Sequence, residues 1–405
     1  MPTELAPAAW HRPPLAPGEC GPYGAGPRPD DAAKAAVWDA YRAGRPTRVP
    51  VTLGTNNRVL LLDGRCDAAG LTYERVFHEP HAMLLAQLGW QLLVRQRYAR
   101  FCDLPTALPD TWEVGADFQN VYEAAFFGAP VHFHARGIPE TRVILAGDRR
   151  EAVFDIDIDR PLARGHFRDG LELTERMQAL AAGCTFFGRP IRVTPYAPLC
   201  SDGPLTVALN LRGPEIFSDL RRAPDYAARL FAFIVAAALR RRAALLAHYA
   251  LSEPGEVWLA DDAIALLGVE QYRAHILPHH RTWYEALDAD RTRRRCIHLC
   301  GDATRHFPTL HAELGVTCFD TGFPVDFGAL RRTLGPDVEL LGGVEAPLLV
   351  DGSPDAVYRR GREILDSGVR VGGRFIFREG NNLPPHVPWP NLAAFYRAAL
   401  DAGPA

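Results

Sequence analysis

The stretch RCIHLCGDATRHFPTLHAELGVTCFD, residues 295–320, decides how the chain is read. RCIHLCG is a short apolar run that stops at Gly301-Asp302. FPTLHAELG repeats its apolar residues at helical spacing, and Gly315 closes it. VTCFD is a second short run rich in strand-forming residues. The order is strand, helix, strand, the unit from which parallel sheets are built.

The same alternation runs outward in both directions. Downstream come the helix DFGALRRTLG (326–335), VELLGG (338–343), the helix DAVYRRGREILDSG (355–368) and RFIF (374–377). Upstream, EVWLADD (256–262) reads as a strand ending in two acids, and GVEQYRAHILPHHRTWYEAL (268–287) as a helix interrupted at Pro278. PDYAARLFAFIVAAALRRRAALLAHYA (224–250) is a strong helix, PIRVTPYA (190–197) is β-rich, and RVPVTLG (48–54) reads as the first strand. The expectation is an α/β fold, a (β/α)8 TIM barrel with an N-terminal helical extension, in one domain over residues 31–401. A doubly wound open sheet is the alternative. Residues 1–30, rich in Pro and Gly, read as a disordered tail.

At 405 residues, 47% hydrophobic and 23% charged, the chain has the composition of a globular protein with a sizeable core. Its net charge of −3 gives no electrostatic footprint for nucleic acid. The clusters Arg240–Arg242 and Arg293–Arg295 read as solvated faces. No apolar run is long enough to span a membrane. Eight cysteines without a CxxC pair, and no export signal, suit free thiols and a cytoplasmic location.

In a barrel of this kind the chemistry sits at the carboxyl ends of the strands. Asp261, Asp262, His298, Cys300, Asp320, Glu345 and Asn381 fall at successive strand ends. Residues two apart on a strand share a face, so His298 and Cys300 point the same way. Imidazole and thiolate are ligands that zinc favours. The plainer reading makes Cys300 a small interior residue and the acids helix caps.

HLCGDATRHFPTLHAELGVTCFDTGFPVDFGALRRTLGPDVELLGGVEAPLL (298–349) and GGRFIFREGNNLPPHVPWPNL (372–392) resemble the uroporphyrinogen decarboxylase superfamily. LADDAIALLGVEQYRAHILPHH (259–280), SDGPLTVALNLRG (201–213) and ADFQNVYEAAFFGAPVHF (116–133) are similar to it as well. The resemblance implies a (β/α)8 barrel enzyme acting on a small molecule. The decarboxylase branch binds substrate carboxylates through an RQAGR-type motif. Here that stretch is VTLGTNNRVLL (51–61), which keeps only Arg58 for substrate, while Asp117 matches the branch's pyrrole-binding Asp.

The His-x-Cys motif resembles the methylcobalamin:thiol methyltransferases, where His, Cys and a later Cys hold zinc. Asn381 stands where that later Cys would be, so His386 is expected to supply a third ligand and Asp261 or Asp262 a fourth. The resemblance therefore implies zinc-dependent methyl transfer to a thiol, with a corrinoid, carried by a corrinoid protein, as donor. In this reading Asp117, Asp261 and Asp262 are catalytic, and Asp320, Glu345 and Asn381 bind substrate. A metal-free decarboxylase or lyase built around Asp117 is the alternative, and a non-catalytic corrinoid or tetrapyrrole binder is a third reading.

Overall fold

In a computed structural model of the chain, the described residues are 3–5, 10, 15, 17–24, 29–66 and 68–404. Seven strands position the site: β1 (Trp112–Val114), β2 (Arg189–Val193), β3 (Glu256–Ala260), β4 (Arg294–Leu299), β5 (Val316–Thr321), β6 (Glu339–Gly342) and β7 (Phe375–Phe377). The last five form one sheet in the order β7-β6-β5-β4-β3, with every neighbouring pair parallel. Helices cross between these strands, as the alternation predicts.

The sheet extends at both edges. Beyond β7, Val51 bridges Phe377, as expected of the RVPVTLG run. Beyond β3, the Ala260 N–H donates to Ser201 O at 2.8 Å. The strands β1 and β2 pair with each other, also in parallel. Among the described residues no strand pairing links this pair to either edge. The parallel α/β architecture is therefore plain, while the closed eight-stranded ring is not established by the pairings.

Local signals behave as their chemistry requires. The 268–287 helix breaks into Val269–His275 and Leu277–Leu287, with Pro278 in the first turn of the second piece. There its missing N–H leaves no helical bond unmade. Asp30 caps the helix Asp31–Arg42 by accepting from Ala33 N at 2.8 Å. That N-terminal helix is tied to the sheet by Tyr41, whose hydroxyl donates to Glu339 Oε2 at 2.7 Å.

Two sequence expectations need correction. The described part of residues 1–30 is packed: Trp10 and Cys20 are buried in the core, and Thr3–Glu4 pairs with Cys184–Thr185. The remainder of that expected tail lies outside the described residues. The arginine clusters are not simply solvated. Arg241 is buried against Glu123, far off in sequence, Arg242 against Glu253 and Arg295 against Asp288. All eight cysteines are free thiols. Among the described residues, no helix is long and apolar enough to cross a membrane.

Candidate functional site

Register assembles the site. His298 on β4 is the direct neighbour of Asp320 on β5 and of Ala260 on β3. Facing the same side of the sheet, His298 Nδ1 and Asp320 Oδ2 lie 2.8 Å apart. Two residues along β4, Cys300 puts Sγ 3.2 Å from His298 Nε2. Gly301 then turns the chain at φ +69°, a conformation glycine adopts without strain. Asp262 arrives from the end of β3, and its Oδ1 accepts the Cys300 N–H at 2.7 Å. One ligand atom from each of Asp262, His298 and Cys300 falls within 4.8 Å of the others. That is a mixed O/N/S donor set.

A second layer holds the first. Both Asp320 oxygens accept from Arg378 Nη1 at 3.0 Å, and Arg378 Nη2 also reaches Glu379 Oε1 at 3.3 Å. Burial opposes charge here, yet bonds from His298 and Arg378 hold Asp320 below the usual carboxylate range. For His298, burial is outweighed by the bonds to Asp320 and Cys300, so its pKa stands well above the ordinary value. Burial pushes the Cys300 thiol up, and His298 offsets this only in part. Without a metal, both shifts favour the protonated forms, imidazolium and thiol. Glu379 is fully buried; burial lifts its carboxyl from an ordinary 4.5 to about 7.

The other residues singled out in the sequence fall elsewhere. Asp261 turns away from its neighbour Asp262. Its carboxylate is buried, accepting from Leu205 N (3.2 Å), Thr206 N (2.7 Å), Thr206 Oγ1 (2.7 Å) and His280 Nε2 (2.9 Å). It fixes the start of the helix Pro204–Arg212 and is not free to bind a metal. His386 does not complete the cluster: its Nδ1 contacts Asp63 Oδ1 at 3.3 Å and its side chain is 55% exposed. Glu345 pairs with Arg360 at 2.7 Å. Asn381, at φ +79°, offers its backbone carbonyl to Arg378. Both Asp117 oxygens are taken by Gln119, and Arg58 is spent on Gln119 and Asn120.

One residue missed in the sequence stands beside the cluster. Asp202 lines, with Asp262, a cleft of about 300 Å³ whose walls include Asn120, Ile138, Glu140 and Asn210. Burial and the nearby Asp262 push its carboxyl up to about 7, against the opposing pull of His298. Its local signal was Ser201-Asp202-Gly203-Pro204, a turn opening a helix. Gly203, at φ +83°, packs against Ala260 O and Asp261 where a Cβ has no room.

These observations define a class: an α/β protein with a side-chain set able to hold a metal at the carboxyl ends of adjacent parallel strands. Comparison with known families narrows it. The profile of the uroporphyrinogen decarboxylase (URO-D) family matches residues 198–401, about half of the chain, and the chain belongs to that family. A solved structure, a methyltransferase from Methanosarcina mazei, matches with a TM-score of 0.62 and 16% identity. The match covers 92% of this chain and 98% of that one, a likeness of fold. No curated protein matches the sequence.

Proposed function

We propose that the chain is a zinc-dependent methyltransferase that passes a methyl group from a corrinoid donor to a thiol or similar soft nucleophile. The observation that carries this reading is the convergence of Asp262, His298 and Cys300 at one strand edge, with Asp320 behind His298. The donors suit zinc. Three protein ligands leave a position open for a substrate, the usual form of a catalytic site. A carboxylate on the far ring nitrogen is the common support of a ligating histidine. Asp262 supplies the donor that Asn381 cannot.

Bound there, zinc would lower the pKa of a thiol so that it meets the methyl donor as a thiolate near neutral pH. The chain's own groups prepare the place. Asp320 keeps the Nδ1 proton and aims Nε2 at the cluster. Asp262 holds the Cys300 backbone through its N–H. In the transfer the acceptor sulfur forms a bond to the methyl carbon as the carbon–donor bond breaks. The donor keeps that electron pair, and the acceptor's thiol proton leaves to solvent. The fold shared with a known methyltransferase is consistent with this reading. The decarboxylase alternative has less support, because Asp117 and Arg58 are engaged with neighbouring side chains.

The test is metal analysis of protein purified without added metal, together with the loss of methylcobalamin absorbance in the presence of small thiols. About one zinc per chain, absent from Cys300→Ala, and thiol-dependent demethylation are expected. Protein that is fully folded, free of zinc and unable to take it up removes the proposal.

A further inference from the structure

We propose that the acceptor enters as a cation, a short thiol carrying an ammonium group, and that Asp202 receives the ammonium. The thiol part of this rests on the methyl-transfer reading; the ammonium site rests on the cleft itself. With about 300 Å³, the cleft is at the small end of ligand sites. Asp202, Asp262 and Glu140 give it three carboxylates, and among its described lining residues there is no Lys, Arg or His. Of the arginines around the site, Arg378 is committed to Asp320 and Glu379, and Arg58 to Gln119 and Asn120. Apart from the zinc and His298, which would face the acceptor's sulfur, a sulfonate or carboxylate on its other end would therefore meet carboxylates with no cation in the cleft wall to answer it.

The three acids are not equivalent. Glu140 contacts His134 Nε2 at 3.1 Å, and Asp262 accepts the Cys300 N–H. The Asp202 carboxylate has no hydrogen-bond partner among the described residues, although its backbone is held firmly. Its N–H donates to Glu123 Oε2, and Ser201 Oγ donates to the same carboxylate at 3.0 Å. Glu123 is in turn buried against Arg241. A buried ion pair thus anchors the loop from behind while the carboxylate it presents stays unspent. Such a group is ready for a cation without reorganisation. Val121, Ile138 and Pro139 also line the cleft and give apolar surface for a short methylene chain, while Asp262, whose Oδ1 accepts the Cys300 N–H, joins the cleft to the side-chain cluster where the sulfur would sit.

Three two-carbon thiols of similar size test this on the zinc-loaded protein: cysteamine, 2-mercaptoethanol and 2-mercaptoethanesulfonate. Calorimetric binding and methyl acceptance from methylcobalamin are measured for each. Cysteamine should bind about tenfold or more tightly than mercaptoethanol, the scale of a charge-assisted hydrogen bond, and the sulfonate most weakly. Asp202→Asn should remove the advantage of cysteamine while keeping its zinc, which also shows that the variant is folded. Equal binding of all three, preference for the sulfonate, or a second zinc per chain lost in Asp202→Asn overturns the inference. The wild-type series decides even if the variant fails to fold. Charge-selective binding without methyl transfer to any thiol sinks the proposed function alone. Methyl transfer without charge preference sinks the ammonium site alone.

Discussion

Asp320→Asn perturbs the account where its geometry is most specific. The substitution keeps the shape of the side chain and removes the charge that faces both His298 Nδ1 (2.8 Å) and Arg378 Nη1 (3.0 Å). Two costs follow. Losing the carboxylate behind a ligating histidine lowers metal affinity by roughly 10- to 100-fold, about 1.4–2.8 kcal/mol. Leaving a buried guanidinium without its main partner costs about 3 kcal/mol of fold stability, the low end for broken buried pairs. The low end applies because Arg378 keeps Glu379 and the Asn381 carbonyl. Zinc affinity is read by competition against a chromophoric chelator, and stability by urea unfolding of chelator-treated protein. A variant that loses stability but binds zinc within twofold of wild type would refute the argument, since Asp320 would then support the fold and not the ligand.

Three further outcomes are expected. The raised His298 pKa contributes stability to the metal-free protein that is complete below about pH 6.5 and is lost as pH rises through the folded value. Zinc competes with the same proton, so zinc affinity should fall as pH drops; identical pH slopes with and without zinc would contradict the pairing. Asp261→Ala should cost about 3–5 kcal/mol of stability, because it strips a buried His280 and a helix start, yet leave zinc stoichiometry unchanged. Asp262→Ala should do the reverse, which metal analysis of both variants checks. For Glu379, a carboxyl lifted from 4.5 to about 7 means that stability is lost as pH climbs through that range, by about 3 kcal/mol. Glu379→Gln should flatten that slope in urea titrations, and an unchanged slope would place the proton elsewhere.

How much was legible depends on how local the cause is. The β3–β7 alternation was readable because Gly, Pro and Asp punctuate short apolar runs, as at Gly301, Gly315 and Asp326. The His298–Cys300 pair was readable from the two-residue period alone. That period also separates Asp262 from Asp261: Ala260 is in register with His298, so the residue two further on continues toward the site. His386 was misassigned because a loop's reach is not written in its neighbours; Asp63, far off in sequence, claims it. Arg241 was misread for the same reason, since only the fold brings Glu123 to it, while Arg295 reaches back to Asp288 across the turn that precedes β4. Asp202 lay in a plain turn signal, and its importance comes wholly from the cleft that β3 and the 138–141 segment build around it.

The most direct measurement is X-ray absorption at the zinc edge of the purified protein. The account predicts about one sulfur scatterer near 2.3 Å, with the rest of the shell nitrogen and oxygen near 2.0–2.2 Å, and loss of the sulfur in Cys300→Ser. A zinc shell without sulfur, or one unchanged by that substitution, would contradict it.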